Sequence, residues 1–163
     1  SRRAETLLYA ADRAEHIASV IAPALERGGI VVTDRYVDSS LAYQGAGRRL
    51  PVADIAQLND WATGGIRPDL TIILDLPPEA GLRRRERSAD RLEAEPAEFH
   101  ERVRAGFLKL AAEGGPDRYL VLDATRPASE LSRAIQERVR EMLPDPVPLT
   151  AEEITGSMPA IRE

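Results

Sequence analysis

Asp34 and Arg35 follow directly on a β-branched apolar run, Val-Val-Thr, that begins at Val31. A strand ending in this way delivers a carboxylate and a guanidinium to the carboxyl edge of a parallel sheet, where open α/β folds bind ligands. Because arginine grips a phosphate through two parallel hydrogen bonds, the pair predicts a site for a phosphorylated small molecule. Arg35 would bind the phosphate, and Asp34 would hold a metal-bound water or orient Arg35. The alternative is that Asp34 caps the next turn and Arg35 is a surface charge.

Two further groups of side chains could complete such a site. Ser40, Tyr43 and Gln44 follow Arg35 and supply hydrogen-bond donors and an aromatic surface. Tyr9 and Arg13 stand one turn apart on a predicted helix and therefore share a face. A ring that stacks beside a guanidinium that donates suits a planar base with carbonyl oxygens. The alternative for this pair is a tyrosine partly in the core beside a solvated arginine.

Arginines are concentrated between residues 83 and 91, including Arg84, Arg87 and Arg91. Such a run is often the solvated face of a helix. Nucleic-acid binding is a second interpretation, although nearby glutamates dilute the positive field and no aromatic residues are interleaved. The third interpretation is a lid whose arginines close over a polyphosphate and stabilise the charge of a transition state.

A third apolar run ends at Asp123 and leads into Arg126 and Pro127. The backbone of this turn and the Arg126 side chain could line a purine pocket. The alternative is a plain connection from a strand to a helix, with Thr125 or Ser129 as the helix cap.

The composition restricts the function classes. The 163 residues carry a net charge of −5, which argues against general affinity for nucleic acid. The absence of cysteine excludes disulfides and thiolate metal sites, and two distant histidines make zinc improbable. With no membrane-length apolar run and no signal-peptide pattern, we expect a cytoplasmic protein that binds neither membrane nor nucleic acid.

Hydrophobic periodicity predicts the elements that position these side chains. Strands are expected at residues 30–33, 70–74 and 119–122, each followed by an aspartate, and helices at 2–27, 51–62, from 77, 98–113 and 129–143. Residues 34–48 are expected to form a loop, and residues 144–163 a flexible, proline-rich tail after a domain spanning 1–143. This alternation predicts an α/β fold, a parallel sheet with helices on both faces.

The first predicted helix carries a continuous apolar stripe. It consists of Leu7, Ala11, Ala14, Ala18, Ile21 and Leu25. The stripe could pack on the sheet, or it could be the surface of a dimer.

Motifs in register along the chain resemble those of bacterial thymidylate kinases. They are L-L-Y-A-A-D-R, V-V-T-D-R-Y, S-S-L-A-Y-Q-G-A-G-R, R-P-D-L-T-I-I-L-D, G-L-R-R-R-E-R, D-R-L-E and D-A-T-R-P. The resemblance implies a three-layer fold of the P-loop nucleoside-monophosphate kinase type and transfer of a phosphoryl group from MgATP to dTMP, usually by a homodimer. The resemblance implies that Tyr9 stacks on thymine and that Arg13 contacts the base. The family usually has phenylalanine at the position of Tyr9.

The resemblance implies roles for the remaining candidates. Arg35 binds the acceptor phosphate, with Asp34 near magnesium; Ser40 and Tyr43 line the deoxyribose and base pocket. Arg84, Arg87 and Arg91 match lid arginines that supply catalytic positive charge and contact ATP, and the turn with Arg126 and Pro127 lies beside adenine.

The chain contains no G-x-x-x-x-G-K-[ST] segment, which in this family cradles the donor phosphates. We therefore expect an N-terminally truncated chain, about the carboxyl-terminal two-thirds of such a kinase, that is inactive alone. The alternatives are another nucleotide or deoxynucleoside kinase of this fold, or a fragment that only binds nucleotide.

Overall fold

The computed structural model describes residues 1–83, 92 and 94–143. In chain order its elements are α1 (Arg2–His16), a first π-helical segment (Ile17–Ile21), α2 (Ala22–Glu26), α3 (Val37–Ser40), a second π-helical segment (Leu41–Gly47), α4 (Val52–Thr63), β1 (Thr71–Asp75), α5 (Pro78–Arg83), α6 (Ala97–Gly114), β2 (Tyr119–Asp123) and α7 (Ala128–Met142). The predicted tail at 144–163 lies outside the described residues.

The two described strands form a parallel pair. Thr71 lies opposite Tyr119, and Asp75 lies opposite Asp123 at the carboxyl ends. Parallel strands need a crossover connection, and here the chain between them includes α5 and α6. Ile73 and Tyr119 pack with Ala111 of α6 in a buried cluster. The predicted α/β class is confirmed, and the aspartates that end β1 and β2 do share one edge.

The strand predicted at residues 30–33 is wrong. This segment carries no strand hydrogen bonding in the structure, and Ile30 and Val32 are 72% and 92% exposed. A strand requires a neighbour for its N–H and C=O groups, and no strand among the described residues runs beside it. Asp34 and Arg35 therefore follow an extended, exposed segment rather than a buried strand.

The loop predicted at residues 34–48 is also wrong over most of its length, because α3 and the second π-helical segment occupy it. Small residues allow this segment to approach α6 closely. A Cβ atom at Gly47 would lie 2.6 Å from Phe99 Cε2, and one at Gly106 would lie 2.9 Å from Ala46 Cβ. Ala42 and Phe99 are buried there with Val103 as a core cluster. Close packing on α6 thus overrides the loop-like composition.

The N-terminal helix predicted at residues 2–27 forms, with an irregularity before Pro23. Proline has no N–H to bond to the carbonyl four residues earlier. In the preceding turn the N–H of Ala22 bonds to the carbonyl of Ile17, five residues back. The helix therefore widens to a π turn at Ile17–Ile21 instead of ending.

The apolar stripe predicted on this helix is only partly buried: Ile21 is 5% exposed, whereas other members of the stripe face solvent. Leu7 is 56% and Leu25 43% exposed. The buried face of α1 instead includes Glu5, Thr6 and Ala10, and it lies against α4. No helix among residues 1–83, 92 and 94–143 is long and apolar enough to cross a membrane.

Candidate active site

Two helical segments face each other across the candidate site. Arg2 Nη1 donates to the carbonyl of Arg48 at 3.3 Å, and Arg13 Nη1 donates to Ser40 Oγ at 3.2 Å. Between these contacts, Gln44 Nε2 donates to Glu5 Oε1 at 3.0 Å. The partners run in opposite chain order, so α1 is antiparallel to the segment from α3 through the second π-helical segment.

Arg13 is fixed at one end of this pair of helices. Its Nη1 donates to Asn59 Oδ1 on α4 as well as to Ser40, and its Nη2 donates to the carbonyl of Tyr36 at 3.2 Å. Asn59 and Ser40 are only 1% and 3% exposed. Burial lowers the pKa of the Arg13 guanidinium from its ordinary value. The other N–H groups of Arg13, on Nε and Nη2, have no acceptor within the described part of the chain and remain able to donate to a ligand.

Arg35 lies among aromatic side chains. Its guanidinium is 5.1 Å from the centre of the Tyr43 ring, a cation–π distance. Although burial alone would lower its pKa, Tyr43, Asp34 and Tyr9 together raise the pKa of Arg35. The guanidinium therefore stays charged where Tyr9 of α1 and Tyr43 of the facing segment converge. An anion brought here would meet a permanent positive charge.

The backbone of Arg35 adopts the left-handed conformation, with a φ of 69°. This conformation costs a residue other than glycine about 1 kcal/mol. Arg49 is a second arginine in this region, with a φ of 58°. Arg49 is exposed, as Arg35 is, but it shows no cation–π contact in the described structure.

The three predicted side chains after Arg35 fall into different environments. Ser40 is buried as an acceptor for Arg13, and Tyr43 lies edge-on to Phe99 and Phe107 with ring centres 6.1 Å apart in each case. Gln44 is 2% exposed, and its amide nitrogen is engaged by Glu5. The structure thus brings Tyr9, Arg13, Arg35, Ser40 and Tyr43 together and places Gln44 one turn from Ser40, in a buried polar cluster.

The carboxyl edge of the sheet holds two anchored carboxylates. Arg104 binds both oxygens of Asp75, at 2.7 and 2.8 Å, and this hydrogen bonding lowers the pKa of Asp75. Asp123 accepts from the backbone N–H and hydroxyl of Thr125, which lowers the pKa of Asp123.

The predicted adenine-side residues follow on this edge. Arg126 is paired with Glu130 at 2.7 Å on the surface, and Pro127 caps α7 without a side-chain hydrogen bond. The positions of Arg126 and Pro127 are compatible with both predicted alternatives, a plain turn between a strand and a helix and one wall of a purine pocket. Arg84, Arg87 and Arg91, the predicted lid arginines, lie outside the described residues.

Asp34 is exposed next to Arg35. The described residues contain no group of three or more histidine or acidic side chains that could hold a metal by themselves. Magnesium is commonly held by one or two carboxylates with water and substrate phosphates, and a single accessible carboxylate fits that mode.

Several polar residues of the site were not predicted from the sequence. Asn59 fixes Arg13, Glu5 engages Gln44, and Arg104 anchors Asp75. One signal was available for Asn59: it lies four residues from buried Ile55 and four from buried Thr63, so a polar side chain interrupts the buried face of α4.

Comparison with known proteins gives consistent relatives. A family model described as thymidylate kinase matches residues 1–135. A thymidylate kinase of Leifsonia xyli is 57% identical over 141 residues, which are 84% of this chain and 66% of the relative. Those of Clavibacter michiganensis and Synechococcus are 52% and 53% identical, over 86% of this chain and 68% of each relative. The chain spans about two thirds of the length of these relatives.

Proposed function

Because the chain belongs to the thymidylate kinase family, we propose that the protein transfers the γ-phosphoryl group of ATP to dTMP, giving dTDP and ADP. The family resemblance expected from the sequence motifs is confirmed. The observation that supports the substrate assignment is the convergence of Tyr9, Arg13 and Arg35 between two antiparallel helices. Since dTMP and ATP are intracellular nucleotides, the proposal includes a cytoplasmic location.

The cluster offers one group for each part of dTMP. The Tyr9 ring is 39% exposed and can stack on the base, and Arg13 retains N–H groups that can donate to a base carbonyl. Arg35 would bind the acceptor phosphate, with Ser40 and Tyr43 at the side of the sugar and base. A phosphate dianion is already a competent nucleophile at neutral pH, so these residues act by positioning rather than by removing a proton.

Charge neutralisation is the second requirement of phosphoryl transfer. Asp34 is the described carboxylate suited to hold magnesium through water, and magnesium, when bound, offsets the negative charge of the phosphates. Arg84, Arg87 and Arg91 are proposed to contact ATP and meet the developing charge, and the turn with Arg126 and Pro127 is proposed to lie beside adenine.

The assignment of Arg35 can be tested with a matched control. In the full-length protein, Arg35→Met removes the charge at the phosphate, and we expect kcat/KM for dTMP to fall by about a hundredfold or more. Arg49→Met removes an exposed arginine from the same left-handed backbone conformation and should leave kcat/KM unchanged. Equal effects of the two substitutions would contradict a specific role for Arg35.

A substrate panel separates the alternatives. The full-length protein should phosphorylate dTMP in preference to thymidine, deoxycytidine and dCMP. Preference for a nucleoside would support a deoxynucleoside kinase instead. For the 163-residue chain, calorimetric binding of dTMP without turnover would support the expectation that this chain carries the acceptor site alone, whereas turnover would contradict it.

We also propose that the protein is a homodimer that uses the exposed part of the apolar stripe, which runs over α1, the first π-helical segment and α2. Leu7 and Leu25 remain exposed in the structure, together with Ala11 and Ala18 between them. Leu7→Asp should shift the full-length protein toward monomer in sedimentation velocity. Val52 is comparably exposed, at 50% against 56% for Leu7, and Val52→Asp should not shift it. A dimer that is unaffected by Leu7→Asp would place the interface elsewhere.

A further inference from the structure

A buried polar cluster lies one turn beyond Ser40, the residue that accepts from Arg13. Gln44 donates to Glu5, and Arg48 donates to both oxygens of Glu5 at 3.3 Å each. Arg48 also pairs with Glu95 and lies over the Phe99 ring at 5.0 Å. Although burial alone would lower its pKa, the hydrogen bonds with Glu95 and Glu5 raise the pKa of Arg48. Glu5 is 7% exposed, and its pairing with Arg48 through both oxygens favours the carboxylate form and fixes its position.

A carboxylate determines which way the Gln44 amide faces. An ionised carboxylate only accepts hydrogen bonds, so the NH₂ group of the amide must face Glu5. The carbonyl oxygen, Oε1, is then turned away from Glu5. No described residue donates a hydrogen bond to Oε1. The fully buried side-chain atoms that lack a partner are His100 Nε2 and Arg118 Nε within the described residues, so Oε1 of Gln44 keeps some accessible surface. Gln44 thus presents an oriented acceptor that is still available to a ligand.

This acceptor lies beside the groups proposed to bind the base. Gln44 is four residues from Ser40, which touches Arg13, and Glu5 is one helical turn from Tyr9. The site therefore combines donors on Arg13 with an acceptor on Gln44 around one aromatic ring. Thymine has the complementary edge, with a carbonyl oxygen at position 4 and an N–H at position 3. Cytosine presents the reverse order, an amino group and an unprotonated ring nitrogen.

We propose that Glu5, held by Arg48, is a positioning residue that sets the selectivity for thymine over cytosine by preventing the Gln44 amide from turning over. This inference rests on the proposed function. A free glutamine amide can exchange its oxygen and nitrogen by rotation and so satisfy either base. An amide fixed by a carboxylate cannot donate to the ring nitrogen of cytosine, so cytosine binding leaves two acceptors opposed.

The substitution Glu5→Gln tests this directly in the full-length protein. Unlike a carboxylate, the new amide can present either its oxygen or its NH₂ group to Gln44. The Gln44 amide is then no longer restricted to one orientation. The ratio of the dTMP to the dCMP association constant, measured by calorimetry, should fall about tenfold or more. The ratio of kcat/KM for the two nucleotides should fall in parallel.

The matched control is Glu95→Gln, which weakens the other ion pair of Arg48 without touching Gln44. It should leave the dTMP to dCMP ratio unchanged. An equal fall in both variants would overturn the proposal, because the cluster would then act only by general packing. If Glu5→Gln does not fold, the double substitution Glu5→Gln, Arg48→Met also removes the positive charge of Arg48 that Glu5 had balanced. The ratio of the dTMP to the dCMP association constant should still fall in this variant.

Binding measurements on the wild-type protein and on Glu5→Gln separate the proposed function from the role of Glu5. Wild-type protein that does not bind dTMP would overturn the proposed function and the role of Glu5 with it. Wild-type protein that prefers dTMP, together with a Glu5→Gln variant of unchanged preference, would overturn the role of Glu5 alone.

Discussion

Replacing Gly47 with alanine should force α6 away from the segment that carries Ser40, Tyr43 and Gln44. A Cβ atom at position 47 would lie 2.6 Å from Phe99 Cε2 and 2.8 Å from Val103 Cγ2. Both distances are well below van der Waals contact. Phe99 and Val103 are 2% and 5% exposed and belong to the core, so neither side chain can move into solvent.

Two opposing effects determine how much Gly47→Ala changes the free energy of unfolding. Alanine in a helix is favoured over glycine by about 0.5–1 kcal/mol, because glycine loses more backbone freedom on folding. Overpacking of a well-packed core costs about 1–3 kcal/mol. Since the overlap involves two core side chains, the second effect should dominate. We expect Gly47→Ala to lower the free energy of unfolding by about 1–2 kcal/mol.

Gly81→Ala is a matched control for the same substitution. Gly81 is also helical, but an added Cβ would approach Leu76 Cδ2 only to 3.7 Å, which is ordinary contact. We expect this variant to be stabilised by about 0.5–1 kcal/mol. The assay is urea unfolding of the full-length variants, with the slope checked for two-state behaviour. Gly47→Ala with a free energy of unfolding equal to or above that of the wild type would refute the packing argument.

Three further predictions concern single side chains. Arg13→Met should raise the KM for dTMP and lower kcat/KM about tenfold to a hundredfold, because one charge-assisted hydrogen bond to the base is lost; an unchanged KM would show that Arg13 does not contact the base. Burial and the hydrogen bond to Asp38 raise the pKa of Tyr119 to about 12, so stability present below pH 10 should fall as the pH rises toward 12. Urea unfolding over this range should show a shallower fall for Tyr119→Phe, and an identical fall would assign the effect to other groups. Arg104 lowers the pKa of Asp75 below its ordinary value of 3.8, so their pairing stabilises the fold above that pH and is lost as the pH falls; acid unfolding of Arg104→Met should therefore depend less on pH, and an equal dependence would contradict this.

The strands β1 and β2 could be predicted from the sequence because each is a short apolar run that ends in aspartate and is followed by turn residues. The same pattern failed at residues 30–33, since a strand depends on a neighbour that local sequence does not reveal. The helix at residues 37–47 was missed for a related reason. Its glycines and hydroxyl residues are typical of loops, and only contact with α6 shows why they form a helix.

The residues of the candidate site also fall into those that the sequence could predict and those that it could not. Tyr9, Arg13 and Arg35 could be selected from residue type and spacing, and the structure brings them together. The residues that hold these side chains in place could not be selected in this way. Asn59 bonds to Arg13 across 46 positions of the chain; its place on the buried face of α4 marks it as unusual, but no local pattern identifies its partner.

The π-helical geometry at Leu41–Gly47 depends on the number of residues in this segment. A π turn contains more residues per turn than an α-helix spanning the same rise. Deleting one residue inside the segment would let it revert to the narrower α-helix with nearly the same total rotation, so the flanking residues would keep their register. Side chains within the segment would be displaced, and Gln44 would be moved away from Glu5. Homologous chains that have an α-helix in place of this segment should therefore be one residue shorter here, with the flanking residues in the same positions.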